Sequence, residues 1–368
     1  MNKTKKHTFF LAFLVGALIM IIFGNNLSVE AKTKKKSLPK IITKNHYGFL
    51  SAGAGDTKDI KSYGASWVRP HPGPFLWDSV QSSAGASYDF SGTDEIVKKY
   101  SRKKIGILAT LWPFAEWDQE SNPDYVSCAV SENDQFLQSN RDKEGKGGTG
   151  SYLPRHRCNP TDWYSYANWV MAVVERYDGD GVSDMPKLKY PVKYWEVMNE
   201  PDLTGNDTLD FYVGDASDYA NLLLETYTSV KAADPSAQVL IAGAAGGREN
   251  FLDFYREVFQ SESARNSFDI ANVHCISNDS YSSFNVEPYK NMLAELGLGS
   301  KPIWVTEAEA IISSDAVTNA TQTYNSAKSA RALGAQRIFF TRYSFSDSQN
   351  YGASNKFAKK WYKKITKL

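Results

Sequence analysis

Eight short apolar runs, separated by longer stretches of helical periodicity, constrain the fold of this 368-residue chain more than any other feature. The runs cover 47–50, 67–69, 105–111, 194–198, 239–242, 270–274, 303–306 and 337–341. Several are near-continuous rather than alternating, which is the pattern of strands covered on both faces. Between them, 163–177 places Trp163, Tyr166, Ala167, Val170 and Val174 on one helical face, and 219–233 does the same with Leu222, Leu223, Tyr227 and Val230 before Asp234-Pro235 stops it. A last helix over 355–367 carries Phe357, Trp361 and Ile365 on one side and lysines on the others. It is expected to close the fold, although a basic amphipathic helix can also lie on a membrane. Strands and helices in this alternation predict an α/β chain folded as a single (β/α)8 TIM barrel over 45–368.

In such a barrel the chemistry sits where strands end and loops begin. The fourth run reads Tyr194-Trp195-Glu196-Val197-Met198-Asn199-Glu200-Pro201, so a carboxylate stands at the end of a buried strand, and Pro201 bars a helix after it. The seventh reads Pro302-Ile303-Trp304-Val305-Thr306-Glu307. Cleaving a glycosidic bond needs two carboxyl groups held apart in acidity, one to protonate the leaving oxygen and one to attack or to activate water. Glu200 and Glu307 are the candidates. Glu309 rivals Glu307, because residues two apart on a strand face the same way; Glu307 is preferred because it directly ends the apolar run. Glu196 shares parity with Glu200 but lies deeper, and is read as a buried partner of Arg69. Asn199 offers an amide able to grip a sugar hydroxyl.

The elements Trp195-Glu196-x-x-Asn199-Glu200-Pro201-Asp202 and Trp304-x-Thr306-Glu307 resemble the retaining glycoside hydrolases of clan A, nearest in motif to family 39, with family 5 a neighbour. The likeness extends over the barrel, and its most specific part is Asn-Glu-Pro. It implies that Glu200 is the acid/base, Glu307 the nucleophile, Asn199 the holder of the sugar 2-hydroxyl and Arg69 the arginine that keeps the nucleophile ionised. His274 falls where the clan carries a histidine. Two departures stand out. Ile276 occupies the place of a tyrosine, for which Tyr281 is a substitute from the loop, and Tyr343 or Phe345 stands near a strand-eight position the clan fills with tryptophan.

Trp112 and Trp117, with Trp77 and His71, are further candidates for sugar platforms, since sugar C–H faces pack on aromatic planes. Aromatic residues make up 13% of the chain, and their excess in loop segments suits that use. The segment 112–162 is long enough to imply a function; it is expected to wall a cleft, stapled by a disulfide between Cys128 and Cys158. Its glycines at 145, 147, 148 and 150 lack the strand and helix that a phosphate loop requires.

Lys3, Lys5 and Lys6 precede the apolar run 9–23, and Val29-Glu30-Ala31 offers a small-residue cleavage site, so 1–31 reads as an export signal and 32–44 as a basic flexible leader. A secreted or periplasmic monomer follows, with an uncleaved N-terminal anchor as the alternative. Without 1–31 the chain holds 39 basic and 40 acidic residues, a balance that argues against nucleic acid as a partner. No cofactor or metal is expected, since no Cys/His cluster has ligand spacing. The expected partner is a β-linked polysaccharide or oligosaccharide, cut internally. Two rivals stand against this reading. One is a catalytically silent carbohydrate-binding barrel that handles exopolysaccharide. The other is a barrel lyase or aldolase, which would want a strand-end lysine or metal site.

Overall fold

The computed structural model describes residues 45–51, 57–139, 152–276, 281–345 and 356–368. The expected signal (1–31), leader (32–44) and glycine-rich stretch (144–150) lie outside the described residues. Each apolar run becomes a strand: β1 (Tyr47–Ser51), β2 (Trp67–Pro70), β3 (Gly106–Leu111), β4 (Tyr194–Val197), β5 (Gln238–Ile241), β6 (Ala271–Cys275), β7 (Ile303–Ala308) and β8 (Ala335–Phe340). The strands form one parallel sheet in the order β5-β4-β3-β2-β1-β8-β7-β6. It curls into a (β/α)8 TIM barrel whose edges, β5 and β6, meet through the bridges Leu240↔Ile270 and Ala244↔Val273. Leu38–Leu368 clusters as one compact unit.

Strand alternation sorts the barrel interior into tiers. At the N-terminal ends, Trp67, Leu108, Leu240, Ile270, Trp304 and Phe339 form a buried apolar plug. Arg337 stacks its guanidinium over Trp67 at 4.0 Å and over Trp304 at 4.7 Å. Two residues further along their strands, Arg69, Thr110, Asn272 and Thr306 are polar and buried, as is Glu196 two residues after Tyr194. A charged tier at this depth is tolerable only if its members pair with one another.

The helix Trp163–Tyr177 begins and ends as its periodicity predicts, capped by Asp162, whose carboxylate accepts from Ser165 N. The next long helix, Ala216–Ala233, starts three residues before the apolar pattern does, because Asp215 and Asp218 close a capping box. The final helix, Lys356–Ile365, buries Ala358, Tyr362 and Ile365. Phe357 and Trp361 flank that stripe, half-buried, rather than forming it as the sequence pattern suggested. No helix among the described residues is long and apolar enough to cross a membrane.

Cys128 and Cys158 are disulfide-bonded. The loop they staple is further held by the buried Arg157–Asp134 ion pair at 2.9 Å, and Asp118 accepts from Thr161 N and Asp162 N at 2.8 Å each. The described parts of the segment after β3 therefore carry their own polar skeleton.

Candidate active site

Two backbone features present the glutamates. At the end of β4, Met198 and Glu200 have φ of 67° and 40°, left-handed values that non-glycine residues rarely adopt. The chain turns sharply there, and Glu200 is left buried at the rim of the barrel. On β7 the pairing with β6 slips, so that Val273 pairs with Val305 but His274 pairs with Glu307. The extra residue is Thr306. Such a bulge re-aims side chains, and here both Thr306 and Glu307 reach into the interior although they are consecutive. Glu309 takes a different direction. Its Oε2 accepts from Thr341 Oγ1 at 2.9 Å and pairs with Arg342 Nε at 2.7 Å, which ties it to the β8 end and separates it from Glu307.

Arg69, fully buried, joins three groups of the site. Its Nε donates to Glu196 Oε2, its Nη1 to Glu307 Oε1 and its Nη2 to Asn199 Oδ1, each at 2.7 Å. The Asn199 Nδ2 is buried without a protein partner among the described residues, so a donor is left for a ligand. Across the cleft, His274 Nδ1 lies 2.6 Å from Glu200 Oε1 and its Nε2 lies 2.7 Å from Thr306 Oγ1. Glu307 Oε1 is 3.9 Å from the same Nδ1 and 3.7 Å from His71 Nε2. One carboxylate oxygen of Glu200 and one of Glu307 lie within 4.8 Å of each other.

Burial dominates the acidities here. It pushes Glu307 above the usual carboxylate range, against the pull of His274 and Arg69 and helped by Glu200. His274 is driven down to about 4, first by burial and then by Arg69, although Glu307 opposes the shift. His71 is lowered well below its ordinary value by burial, then by Arg69 and His274. Both histidines are therefore neutral near pH 7, and Arg69 carries the positive charge among the groups facing Glu307. Asp202, two residues after Glu200, is buried with Oδ2 accepting from Ala245 N at 2.8 Å, and burial raises its pKa well above the usual carboxylate range.

No family model matches this sequence, and no curated protein does. Solved structures do match in fold. A glucosidase from Croceicoccus marinus aligns at TM-score 0.60 and 14% identity over 89% of this chain and 68% of its own. The barrel is similar to those of glycoside hydrolases. The GH39 enzyme from Xanthomonas axonopodis pv. citri aligns at TM-score 0.59 and 17% identity, covering 91% of this chain and 68% of its own. An endo-1,4-beta-mannanase from Rhizomucor miehei aligns at 0.55 and 15% identity, over 90% of this chain and 98% of its own. At these identities the likeness is one of fold.

The structure thus brings Glu200, Glu307, Asn199, Arg69 and His274 together. His71 joins them at 3.7 Å from Glu307, but the other aromatic candidates do not. Tyr343 is buried in the shell outside β1, stacked on Phe49 at 4.6 Å, and so belongs to the core. Trp112 is fully buried against His71 (5.5 Å between centroids) and Phe211 (5.8 Å), so it supports His71 and exposes no face to a sugar. Trp117 is half-buried, packs on Trp77 at 5.0 Å and donates Nε1 to Gln81 O at 2.8 Å. Trp77 itself is core. Tyr281 opens the short helix Tyr281–Ser283, and its side chain lies outside the described residues.

Sequence reasoning missed Thr110, Asn272 and Gly243. The first two are unremarkable polar residues on apolar strands, and parity with Glu196 and Thr306 was the available signal. Gly243 leaves room for His274: a Cβ there would lie 2.1 Å from its Nε2.

Proposed function

We propose that this protein is a retaining glycoside hydrolase that cleaves β-glycosidic bonds in a polysaccharide or oligosaccharide. The observation that carries the reading is the approach of Glu200 and Glu307 to within 4.8 Å between their nearest oxygens. Retaining enzymes hold their carboxyl groups about 5–5.5 Å apart, whereas inverting ones leave about 6.5–9.5 Å for a water. Glu307 keeps one oxygen on Arg69 Nη1 and attacks the anomeric carbon with its carboxylate, while Glu200 gives its proton to the departing oxygen. Glu200 then takes a proton from water, whose oxygen displaces Glu307 from the anomeric carbon and releases the sugar. His274, neutral and bonded to Glu200 Oε1, orients that carboxyl group through both steps. Asn199 Nδ2 holds a sugar hydroxyl.

Internal cutting of a polymer is the reading favoured by the long loop after β3 and the many aromatic residues of the chain. The basic, then apolar, N-terminal sequence supports export as a secreted or periplasmic protein. The deciding experiment incubates the protein with a panel of β-linked polysaccharides and follows the anomer first released by proton NMR. Retention, abolished by Glu307→Gln, is expected. First release of the inverted anomer, or full activity of E307Q, overturns the mechanism. Sugar affinity with no release of reducing ends identifies a silent binding barrel instead.

A further inference from the structure

Glu196 carries no part of the chemistry above, yet it is the carboxylate with the most donors in the barrel interior. Its Oε2 accepts from Arg69 Nε at 2.7 Å and from Thr110 Oγ1 at 2.5 Å. Its Oε1 accepts from Asn272 Nδ2 at 2.7 Å and lies 3.0 Å from Thr306 Oγ1. Glu307, by contrast, has one such partner, Arg69 Nη1, on Oε1. Four donors thus converge on this one buried carboxyl group. We infer that Glu196 is a positioning residue that balances Arg69, so that one guanidinium serves both Glu196 and a nucleophile whose charge comes and goes.

The inference rests on the double-displacement reading, and the charge count shows why such a residue is needed. Before reaction Glu307 is ionised and Glu200 carries a proton. In the first step the Glu307–C1 bond forms, the glycosidic C1–O bond breaks and the Glu200 proton passes to the leaving oxygen. The negative charge has moved from Glu307 to Glu200, and Arg69 has lost its anionic partner at Nη1. Without Glu196 it would then be an uncompensated buried cation, a costly state. With Glu196 the pair is neutral in every step. The same balance keeps Glu307 basic, because a guanidinium already paired draws less on the second carboxylate. Glu196 also touches the acid side: Thr306 Oγ1 links its Oε1 to His274 Nε2, whose Nδ1 bonds Glu200.

The groups that face Glu307 are Arg69 from β2, His71 just after it, Glu200 just after β4 and His274 from β6, with Glu196 from β4 behind Arg69. On its own strand Glu309 is paired with Arg342 beyond β8. Of the anions in this set Glu196 is the one held on Arg69, so its removal is the specific perturbation. The test is a pH titration of the Glu307 carboxyl carbon by NMR in unliganded protein labelled with δ-13C glutamate, assigned by its disappearance in Glu307→Gln. In Glu196→Gln the midpoint is expected to fall by about one pH unit or more, within the range a neighbouring arginine commands. Glu196→Asp, which keeps the charge but withdraws it by one methylene, is expected to fall between E196Q and wild type. It carries the test if E196Q does not fold. The acidic limb of kcat/KM on a cleaved glycoside should move with the midpoint. A folded E196Q or E196D that titrates at the wild-type midpoint overturns the proposal, as does loss of activity with no shift of the limb. If the wild type cleaves no glycan, the mechanism fails separately, and the titration still decides whether Glu196 governs Glu307.

Discussion

Replacing Arg69 by methionine keeps most of the side-chain volume and deletes three hydrogen bonds of 2.7 Å, two of them to carboxylates. Removing one partner of a buried ion pair costs about 3–5 kcal/mol, because the other charge is left uncompensated. Glu196 retains Thr110 and Asn272, whereas Glu307 retains no hydrogen bond among its described contacts, only neutral imidazoles at 3.7 and 3.9 Å. Arg69 is one of the groups that pull Glu307 down against burial, so without it burial raises Glu307 further. The sign follows directly. A carboxyl whose folded pKa is raised contributes stability below its unfolded pKa and loses it as pH rises towards the folded value. Wherever a group is protonated in the folded state and ionised in the unfolded state, stability falls by about 1.4 kcal/mol per pH unit. Urea unfolding followed by tryptophan fluorescence at both pH values measures this. The destabilisation of R69M relative to wild type should be larger at pH 7 than at pH 5, and at least about 3 kcal/mol at the higher value. A loss below about 1 kcal/mol, or the same loss at both pH values, would refute the view of Arg69 as the charge centre of the barrel.

Three further outcomes are expected. Gly243→Ala places a Cβ 2.1 Å from His274 Nε2; it should destabilise the fold by about 1–3 kcal/mol and slow glycosides with poor leaving groups more than activated ones, as kinetics on matched pairs would show. Replacing Cys128 and Cys158 together by serine opens a loop of sequence separation 30; the chain-entropy estimate is a loss of about 4 kcal/mol, read as a lower urea midpoint, and an unchanged midpoint would contradict it. Asp178, raised by burial to about 6, contributes stability below its unfolded value that is lost as pH rises towards 6. Asp178→Asn should therefore gain in melting temperature relative to wild type between pH 4 and pH 7, and a constant difference across that range would exclude the effect.

The fold was largely legible because burial on both faces leaves a plain mark. All eight runs became strands, and the ends of 163–177 matched the helix. What alternation could not show was the bulge at Thr306, which turns two successive residues inward and sends Glu307 and Glu309 in different directions. The aromatic candidates failed for a related reason. A tryptophan just after a strand end, such as Trp112, can lie on the cleft or beneath it, and the residues that cover it come from distant segments. Tyr343 was similarly placed by position along the chain, yet it is claimed by Phe49 and Tyr63 in the outer shell. Thr110 and Asn272 became meaningful only when the barrel brought them onto Glu196.

The meeting of β5 and β6 has a mechanical consequence. Within the hydrogen-bonded ladders, the strand bearing Glu200 connects to the strand bearing Glu307 the long way round, through β3, β2, β1 and β8. The direct route crosses the β5–β6 junction, closed by backbone hydrogen bonds such as Ile270 N to Val239 O and His274 N to Ala244 O, and the 2.6 Å contact between His274 and Glu200 spans it. Arg69 grips Glu307 from β2, on the continuous side. In the proposed mechanism proton delivery thus depends on a contact across the β5–β6 closure, while the nucleophile is held from the other side of the barrel.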